Sequence, residues 1–417
     1  MKHLLTKNYN DILMILNDFF LKGYTRKSLP EYNTSYNKEL FDFACQIYKR
    51  GFVSQKKKED SKHLIPLPTI LSQTDFLNFL QNLNISNVFY FVDENLYAKQ
   101  SSLTNFLKDK KCLLYKPDES TKCTDTVNKW IEILPNETQL IIVMGGGIIL
   151  DIVGFIAGLL KIKIYYLPTT LLSSVDAGIG GKTGVNFYPY GKNQIGLFYE
   201  AEKLFCVPEY FQTLSQVDII CGLAEAIKHS WIFGEFLNDY DSILKIYHKN
   251  STIEDFFYLI SKSIKYKSTI VNLDLYESKD IRTSLNFGHT LAHIIEALAE
   301  DHSIQFLPHG IAVAHGLHFI FQSGLVSFSN DQQNMINLIK DITYKYPIII
   351  SNQISQIQIE KYLVQDKKNE DASLCALSLP SYGQFSLINS EPIFSPVTKK
   401  FPVSLISKLM FEYITSI

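Results

Sequence analysis

Two histidines one helical turn apart, His289 and His293, follow Asn286 in the run RTSLNFGHTLAH, and a third, His309, sits between Pro308 and Gly310. Imidazoles at i and i+4 project from one helix face, and imidazole is both a common metal ligand and a proton carrier near neutral pH. Upstream, GLAEAIKH places Glu225 three residues before Lys228. Glu225, His289 and His309 together supply two imidazoles and one carboxylate, a set suited to a catalytic metal with an open coordination position. Plainer readings exist: a lone histidine is more often a core residue, and a carboxylate and lysine at i,i+3 read as a weak surface ion pair. Three histidines in polar company favour metal or acid–base chemistry. His315 and His318, in an apolar helical pattern, read as structural.

A second constellation suits a phosphorylated ligand. The run VDAGIGGKTGVNFYPYGKNQIG carries Lys182, Lys192 and Asn193 among glycines. Glycine permits close backbone approach, and the lysines and asparagine supply cations and donors; the plain alternative is a turn-rich surface loop. Before it, IIVMGGGIILD reads as strand, glycine turn and helix, with Gly146 and Gly147 at the turn and Asp151 in the helix. Such a turn offers backbone N–H groups and a helix N-terminus to a phosphate. It is not GxGxxG, and a tight turn needing glycine at positive φ is the competing account. Thr169 and Thr170 add hydroxyls at the carboxyl edge of the presumed sheet, where α/β proteins bind ligands.

The elements that position these groups divide the chain. Apolar β-rich runs at Val88–Val92, Leu113–Tyr115, Leu140–Met144 and Ile164–Leu167 alternate with helical patterns such as Thr124–Leu134, which predicts a parallel sheet covered by helices. From Leu223 onward long helical patterns dominate: Leu223–Phe233, Ile253–Asn272, His289–Glu300 and Ile311–Ser323. The expected division is a helical extension and linker over 1–62, an α/β domain over 63–220 and a helical domain over 221–417. The extension rests on Ile12, Ile15, Leu16, Phe19 and Phe20 sharing a helix face, with Gly23 as a stop and the charged run Lys56–Asp60 as linker.

A chain of 417 residues with 46% hydrophobic and 20% charged residues has ample length for a large core. A net charge of −2 carries no electrostatic footprint for nucleic acid. Cys45, Cys112, Cys123, Cys206, Cys221 and Cys375 show no CxxC spacing, which fits free thiols in a reducing cytoplasm. The stretch Leu140–Leu160 imitates a membrane span, but three glycines and Asp151 near its centre argue against lipid burial. The first residues, MKHLLTKNYNDILMILNDFF, lack the apolar core and cleavage site of a signal peptide.

In this order, DAGIGGKTGVN, GKNQIG, GLAEAIKH and RTSLNFGHTLAH resemble the sugar phosphate cyclases, and most closely the 3-dehydroquinate synthases, over about residues 88 to 390. The resemblance implies a Rossmann-like NAD-binding α/β domain, a mostly α-helical domain carrying a divalent metal (zinc or cobalt), a sugar phosphate substrate and a homodimer. It implies metal ligation by Glu225, His289 and His309. NAD contacts fall on Asp93, Asn95, Glu119, Lys122, Gly146, Gly147, Asp151, Thr169, Thr170, Asp176, Lys182, Lys192 and Thr213. The substrate pocket falls on Lys182, Lys192, Asn193, Lys228, Lys267, Arg282, Asn286 and His293, with Lys367 or Lys368 as a late phosphate-binding lysine. The chemistry implied is oxidation of one ring carbon, phosphate elimination, re-reduction, ring opening and an intramolecular aldol closure, with NAD regenerated each cycle.

Three departures qualify that likeness. The family's arginine before PTT, lent to the neighbouring subunit, is absent, and Lys161 offers only a point charge. Ile311 replaces the usual glutamate after His309-Gly310. DAGIGGKTGVNF also resembles the 2-epi-5-epi-valiolone synthases, which cyclise sedoheptulose 7-phosphate. Lys267, Arg282 and Asn286 favour a carboxylate-bearing substrate instead. A glycerol-dehydrogenase-like oxidoreductase shares the PHG turn, but the lysine-rich GGKTGVN and GKN runs argue against it; a non-catalytic relative is disfavoured by the three intact candidate ligands.

Overall fold

Apolar β-branched and aromatic residues with no alternating polar position make strands that need cover on both faces. The computed structural model builds such a sheet from β1 (Thr69–Ile70), β2 (Val88–Asp93), β3 (Cys112–Tyr115), β4 (Leu140–Gly145), β5 (Lys163–Pro168) and β8 (Lys203–Cys206). All pairs are parallel, in the order β1-β8-β5-β4-β2-β3. Tyr90, Val92, Ile142, Met144 and Leu167 join Phe76, Leu80, Leu103 and Phe205 in one apolar cluster. Phe89, Phe91, Ile141 and Val143 are also buried, and the Trp130 ring lies 5.2 Å from that of Phe91. The structure describes residues 68–417 apart from 189–190, 275–280, 366–372, 380–384, 389–390 and 395–396, with scattered positions between 11 and 44.

Two compact units emerge, Met1–Thr213 and Leu214–Ile417. Of the expected N-terminal extension, Ile12, Ile15 and Leu16 are helical and buried. Phe19, Phe20, Gly23 and the run Lys56–Asp60 lie outside the described residues, as do Lys367 and Lys368. Among the described residues no helix is long and apolar enough to cross a membrane. The imitation at Leu140–Leu160 is β4, its glycine turn and the Gly147–Leu160 helix.

The lysine- and glycine-rich run differs from a loop: β6 (Lys182–Phe187) and β7 (Gly191–Phe198) form an antiparallel ribbon with a bulge between Val185 and Phe187. Its glycines serve close packing of backbone on backbone. A Cβ on Gly196 would lie 2.2 Å from the Thr183 carbonyl oxygen.

The second unit is built on long helices: Gln216–Ile232, Phe236–Tyr247, Ile253–Leu273, His289–Glu300, His309–Gln322, Gln333–Lys345, Gln356–Gln365 and Val403–Ser416. Two antiparallel ribbons accompany them, β9 (Leu374–Leu379) with β12 (Val397–Pro402), and β10 (Phe385–Ile388) with β11 (Glu391–Phe394). Polar bonds fasten the last helix inside this unit. The Tyr413 hydroxyl lies 3.0 Å from His315 Nδ1 and 3.1 Å from His318 Nδ1, and His315 Nε2 meets the Tyr346 carbonyl at 2.8 Å. Burial pushes both imidazoles down to about 4, so they stay neutral here.

Candidate functional site

Helix crossings decide where the second unit's polar groups meet. Gly310, one residue after His309, presses on Gln216–Ile232 so closely that a Cβ there would lie 2.3 Å from Cys221 Cα. Cys221 and Glu225 are one turn apart, so this crossing sets His309 beside Glu225. Gly288 caps the His289–Glu300 helix at φ 78°, a conformation glycine adopts without steric cost.

Three ligand atoms converge as a result. Glu225 Oε1 lies 3.3 Å from His289 Nε2 and 3.5 Å from His309 Nε2, and one atom from each of the three residues falls within 4.8 Å of the others. The opposite ring nitrogens have acceptor-only partners: His289 Nδ1 donates to the Phe287 carbonyl at 3.2 Å, and His309 Nδ1 to Glu296 Oε1 at 2.8 Å. With those partners on Nδ1, the Nε2 of each ring faces Glu225, where it would give its lone pair to a bound cation. Two imidazoles and a carboxylate converging on one point are the donor set of a divalent metal site.

Charge surrounds this cluster. Glu225 and Lys228, read in sequence as a surface pair, form an ion pair whose side chains are 0% and 1% exposed. Burial opposes ionisation of Glu225, yet the Lys228 ammonium and then His289 hold its carboxyl well below the usual range. Burial and then Lys228 push the His289 imidazole down to about 4. Burial acts the same way on His309, but hydrogen bonds to Glu225 and Glu296 outweigh it and hold the ring up at about 10. His293 neighbours His289, with ring centres 5.8 Å apart. Lys267 and Arg282 are also buried, and Asp274 accepts the Arg282 backbone N–H at 3.1 Å. Asn286 ends the turn Arg282–Asn286, just ahead of the ligand helix.

In the first unit the candidates gather at the carboxyl edge of the sheet. Asp93 ends β2, and its side chain accepts the Asn95 N–H at 2.8 Å as a helix N-cap. Burial raises the Asp93 pKa against the pull of that bond. Beside it, β4 leads through Gly146 into the Gly147–Leu160 helix, whose first turn has no side-chain cap. Gly146 has φ −80°, so positive φ is not why glycine is there. A Cβ would sit 3.2 Å from Thr170 Cγ2, and close approach to the Thr169–Thr170 turn is the reason. Asp176 follows in the Ser173–Ala177 turn.

Lys122 pairs with Asp151 at 2.5 Å, and Asp151, Lys182 and Asn193 line one cavity of about 140 Å³. Glu119 lies in a short turn and accepts from Asn186. Lys192 is in β7. Thr213 turns its hydroxyl to the Tyr210 carbonyl at 3.1 Å. Lys161, offered as a replacement cation, is the exposed left-handed C-cap of the Gly147–Leu160 helix at φ 54°.

Two residues were not singled out from sequence. Glu296 orients His309, and its signal was present, since it lies at i+7 from His289 and i+3 from His293 on one face. Asn186, at the bulge of β6, carried no such periodic signal.

Descriptions of the 3-dehydroquinate synthase N-terminal and C-terminal domains match residues 113–221 and 222–369. A 3-dehydroquinate synthase from Francisella tularensis subsp. tularensis is 30% identical over 339 residues, covering 78% of this chain and 91% of that protein. Among solved structures, 2-deoxy-scyllo-inosose synthase complexed with carbaglucose-6-phosphate, NAD+ and Co2+ superposes with a TM-score of 0.65 at 20% identity, over 84% of this chain and 98% of that one. A 2-epi-5-epi-valiolone synthase from Streptomyces hygroscopicus subsp. jinggangensis, with NAD+ and Zn2+ bound, gives 0.65 at 19%, over 87% and 100%. At such identities these two structures establish the fold.

Proposed function

The chain belongs to the 3-dehydroquinate synthase family, and from that premise we propose an NAD- and divalent-metal-dependent phosphate lyase that cyclises 3-deoxy-arabino-heptulosonate 7-phosphate to 3-dehydroquinate. The observation that carries the metal dependence is the convergence of Glu225, His289 and His309 on one point. When bound, NAD would supply a reversible hydride acceptor and the metal, zinc or cobalt, a Lewis acid at the hydroxyl being oxidised.

The chain's own residues account for the rest. Lys267 and Arg282 are buried cations suited to the substrate carboxylate, Arg282 with the fork geometry that pairs with both oxygens. In the first unit Lys182, Lys192 and Asn193 suit the phosphate, while the open N-terminus of Gly147–Leu160 with Asp93, Asn95, Thr169, Thr170 and Asp176 suits the dinucleotide. His293, beside His289, and Asn286, in the turn ahead of the ligand helix, suit proton handling and orientation. The proposal extends to a homodimer in the cytoplasm.

The test is phosphate release from purified protein offered each seven-carbon sugar phosphate in turn with stoichiometric NAD. The expected result is many turnovers of the carboxylate-bearing substrate with no accumulation of NADH. One observation favours a second reading, the likeness of DAGIGGKTGVNF to the valiolone-forming branch. Turnover of sedoheptulose 7-phosphate alone would move the protein there. Absorbance at 340 nm growing in proportion to product would instead indicate a simple dehydrogenase.

A further inference from the structure

Asn186 is 0% exposed, and its hydrogen bonds reach two separate segments of the first unit. Its Nδ2 donates to Glu119 Oε1 at 3.0 Å and to the Glu119 carbonyl at 3.3 Å. Its Oδ1 accepts the Asn193 backbone N–H at 2.9 Å, and its own backbone N–H donates to the Lys122 carbonyl at 2.7 Å. A bulge in β6 makes this possible, because the bulged residue leaves the ladder and turns its groups elsewhere. Asn193 sits at φ 50°, a left-handed conformation that glycine and asparagine adopt most readily, and the bond from Asn186 holds its backbone there.

Glu119 and Lys122 belong to the proposed NAD contacts, and Asn193 to the proposed phosphate contacts. We propose that Asn186 is a positioning residue that ties the nucleotide-side turn Glu119–Lys122 to the phosphate-side residue Asn193, through one amide whose two ends serve the two ligands separately. The inference rests on the NAD and sugar phosphate reading above. Its chemical content is the asymmetry of the amide: the NH2 end serves Glu119 and the carbonyl end serves Asn193. Aspartate is nearly isosteric, keeps the acceptor for Asn193 and replaces the donor with an oxygen facing the Glu119 carboxylate.

The experiment compares full-length wild type, Asn186→Asp and Asn186→Ala in two measurements: Kd for NAD by titration calorimetry, and KM for the sugar phosphate at saturating NAD. Losing a buried hydrogen bond to a charged group raises a dissociation constant about ten- to hundredfold. Asn186→Asp is expected to raise Kd for NAD by about that factor and leave KM within about twofold. Asn186→Ala is expected to raise both. If alanine prevents folding, as thermal unfolding would report, the aspartate variant alone carries the test. Equal changes of Kd and KM in Asn186→Asp, or no change in either, would overturn the assignment. A wild-type protein that binds no NAD would overturn the proposed function, and this inference with it.

Discussion

The metal-ligand cluster and the phosphate ribbon are positioned by opposite means. In the second unit Glu225, His289 and His309 ride on helices of 17, 12 and 14 residues, packed closely where Gly310 meets Cys221 and Gly316 meets Gly288. In the first unit Lys182, Lys192 and Asn193 lie on a two-stranded ribbon, and a single amide, Asn186, fixes Asn193. Precision in the helical unit comes from backbone on backbone, which resists substitution everywhere along the crossing. The ribbon also packs backbone on backbone at Gly196, but Asn193 is held by a side chain, so an error at Asn186 should stay local.

That contrast can be broken in order of expected effect. Replacing His289 by alanine removes one of three ligands, and turnover should fall by about four decades, the several kcal/mol that a Lewis acid contributes. Metal analysis of the folded variant should show the ion gone, and a variant that retains stoichiometric zinc or cobalt would refute the ligand assignment. Arg282→Ala should lower kcat/KM for the carboxylate-bearing sugar phosphate by roughly two to four decades, since unpairing a buried charge costs about 3–5 kcal/mol. Activity on sedoheptulose 7-phosphate, which lacks the carboxylate, should barely respond; an equal loss on both substrates would show that Arg282 is structural.

Gly310→Ala puts a methyl 2.3 Å from backbone and should cost roughly 3 kcal/mol. For a unit of this size that is a Tm drop of roughly 6–12 °C, accompanied by weaker metal binding. An unchanged Tm would show that the crossing yields. Glu296→Ala should weaken zinc affinity about ten- to hundredfold in a chelator competition. Glu296→Gln keeps an acceptor for His309 Nδ1 and should lose less; identical losses would mean charge alone matters. The smallest effect belongs to Gly146→Ala, whose φ suits alanine and whose new methyl meets a single rotatable side chain, Thr170, at Cγ2 (3.2 Å) and Oγ1 (3.7 Å). Calorimetric stability should stay within about 1 kcal/mol of wild type, and a larger change would make the two units alike.

The sequence spoke most clearly where one element repeats its own geometry. Strands buried on both faces leave continuous apolar runs, and all four cores read from sequence, at Val88, Leu113, Leu140 and Ile164, fall in the parallel sheet. His289 and His293 were legible as a pair because a helix returns every fourth side chain to one face. The ribbon β6–β7 was not, because glycine and asparagine are poor strand formers, and here glycine serves contact between strands rather than turning. Glu296 shared the histidine face, but its partner His309 belongs to another helix, and no spacing reveals a crossing. The ribbon of β9 with β12 joins residues 18 to 28 positions apart, and no local spacing reveals such a pairing.

The bonds from Tyr413 to His315 and His318 set an order of events while the chain is being made. Domains form as the ribosome releases them, amino-terminal parts first, at about 5–20 residues per second. The parallel sheet draws all its strands from residues before 207 and can close early. The His309–Gln322 helix, which carries a metal ligand at its first residue, waits for Val403–Ser416 to supply the hydroxyl that engages its two buried imidazoles. At that rate the roughly 200 residues from Cys206 to Tyr413 take about 10–40 s to make, and over that interval the sheet can stand complete before these bonds form. A ribosome stalled before Val403 is expected to display the closed sheet without the Tyr413 bonds to His315 and His318.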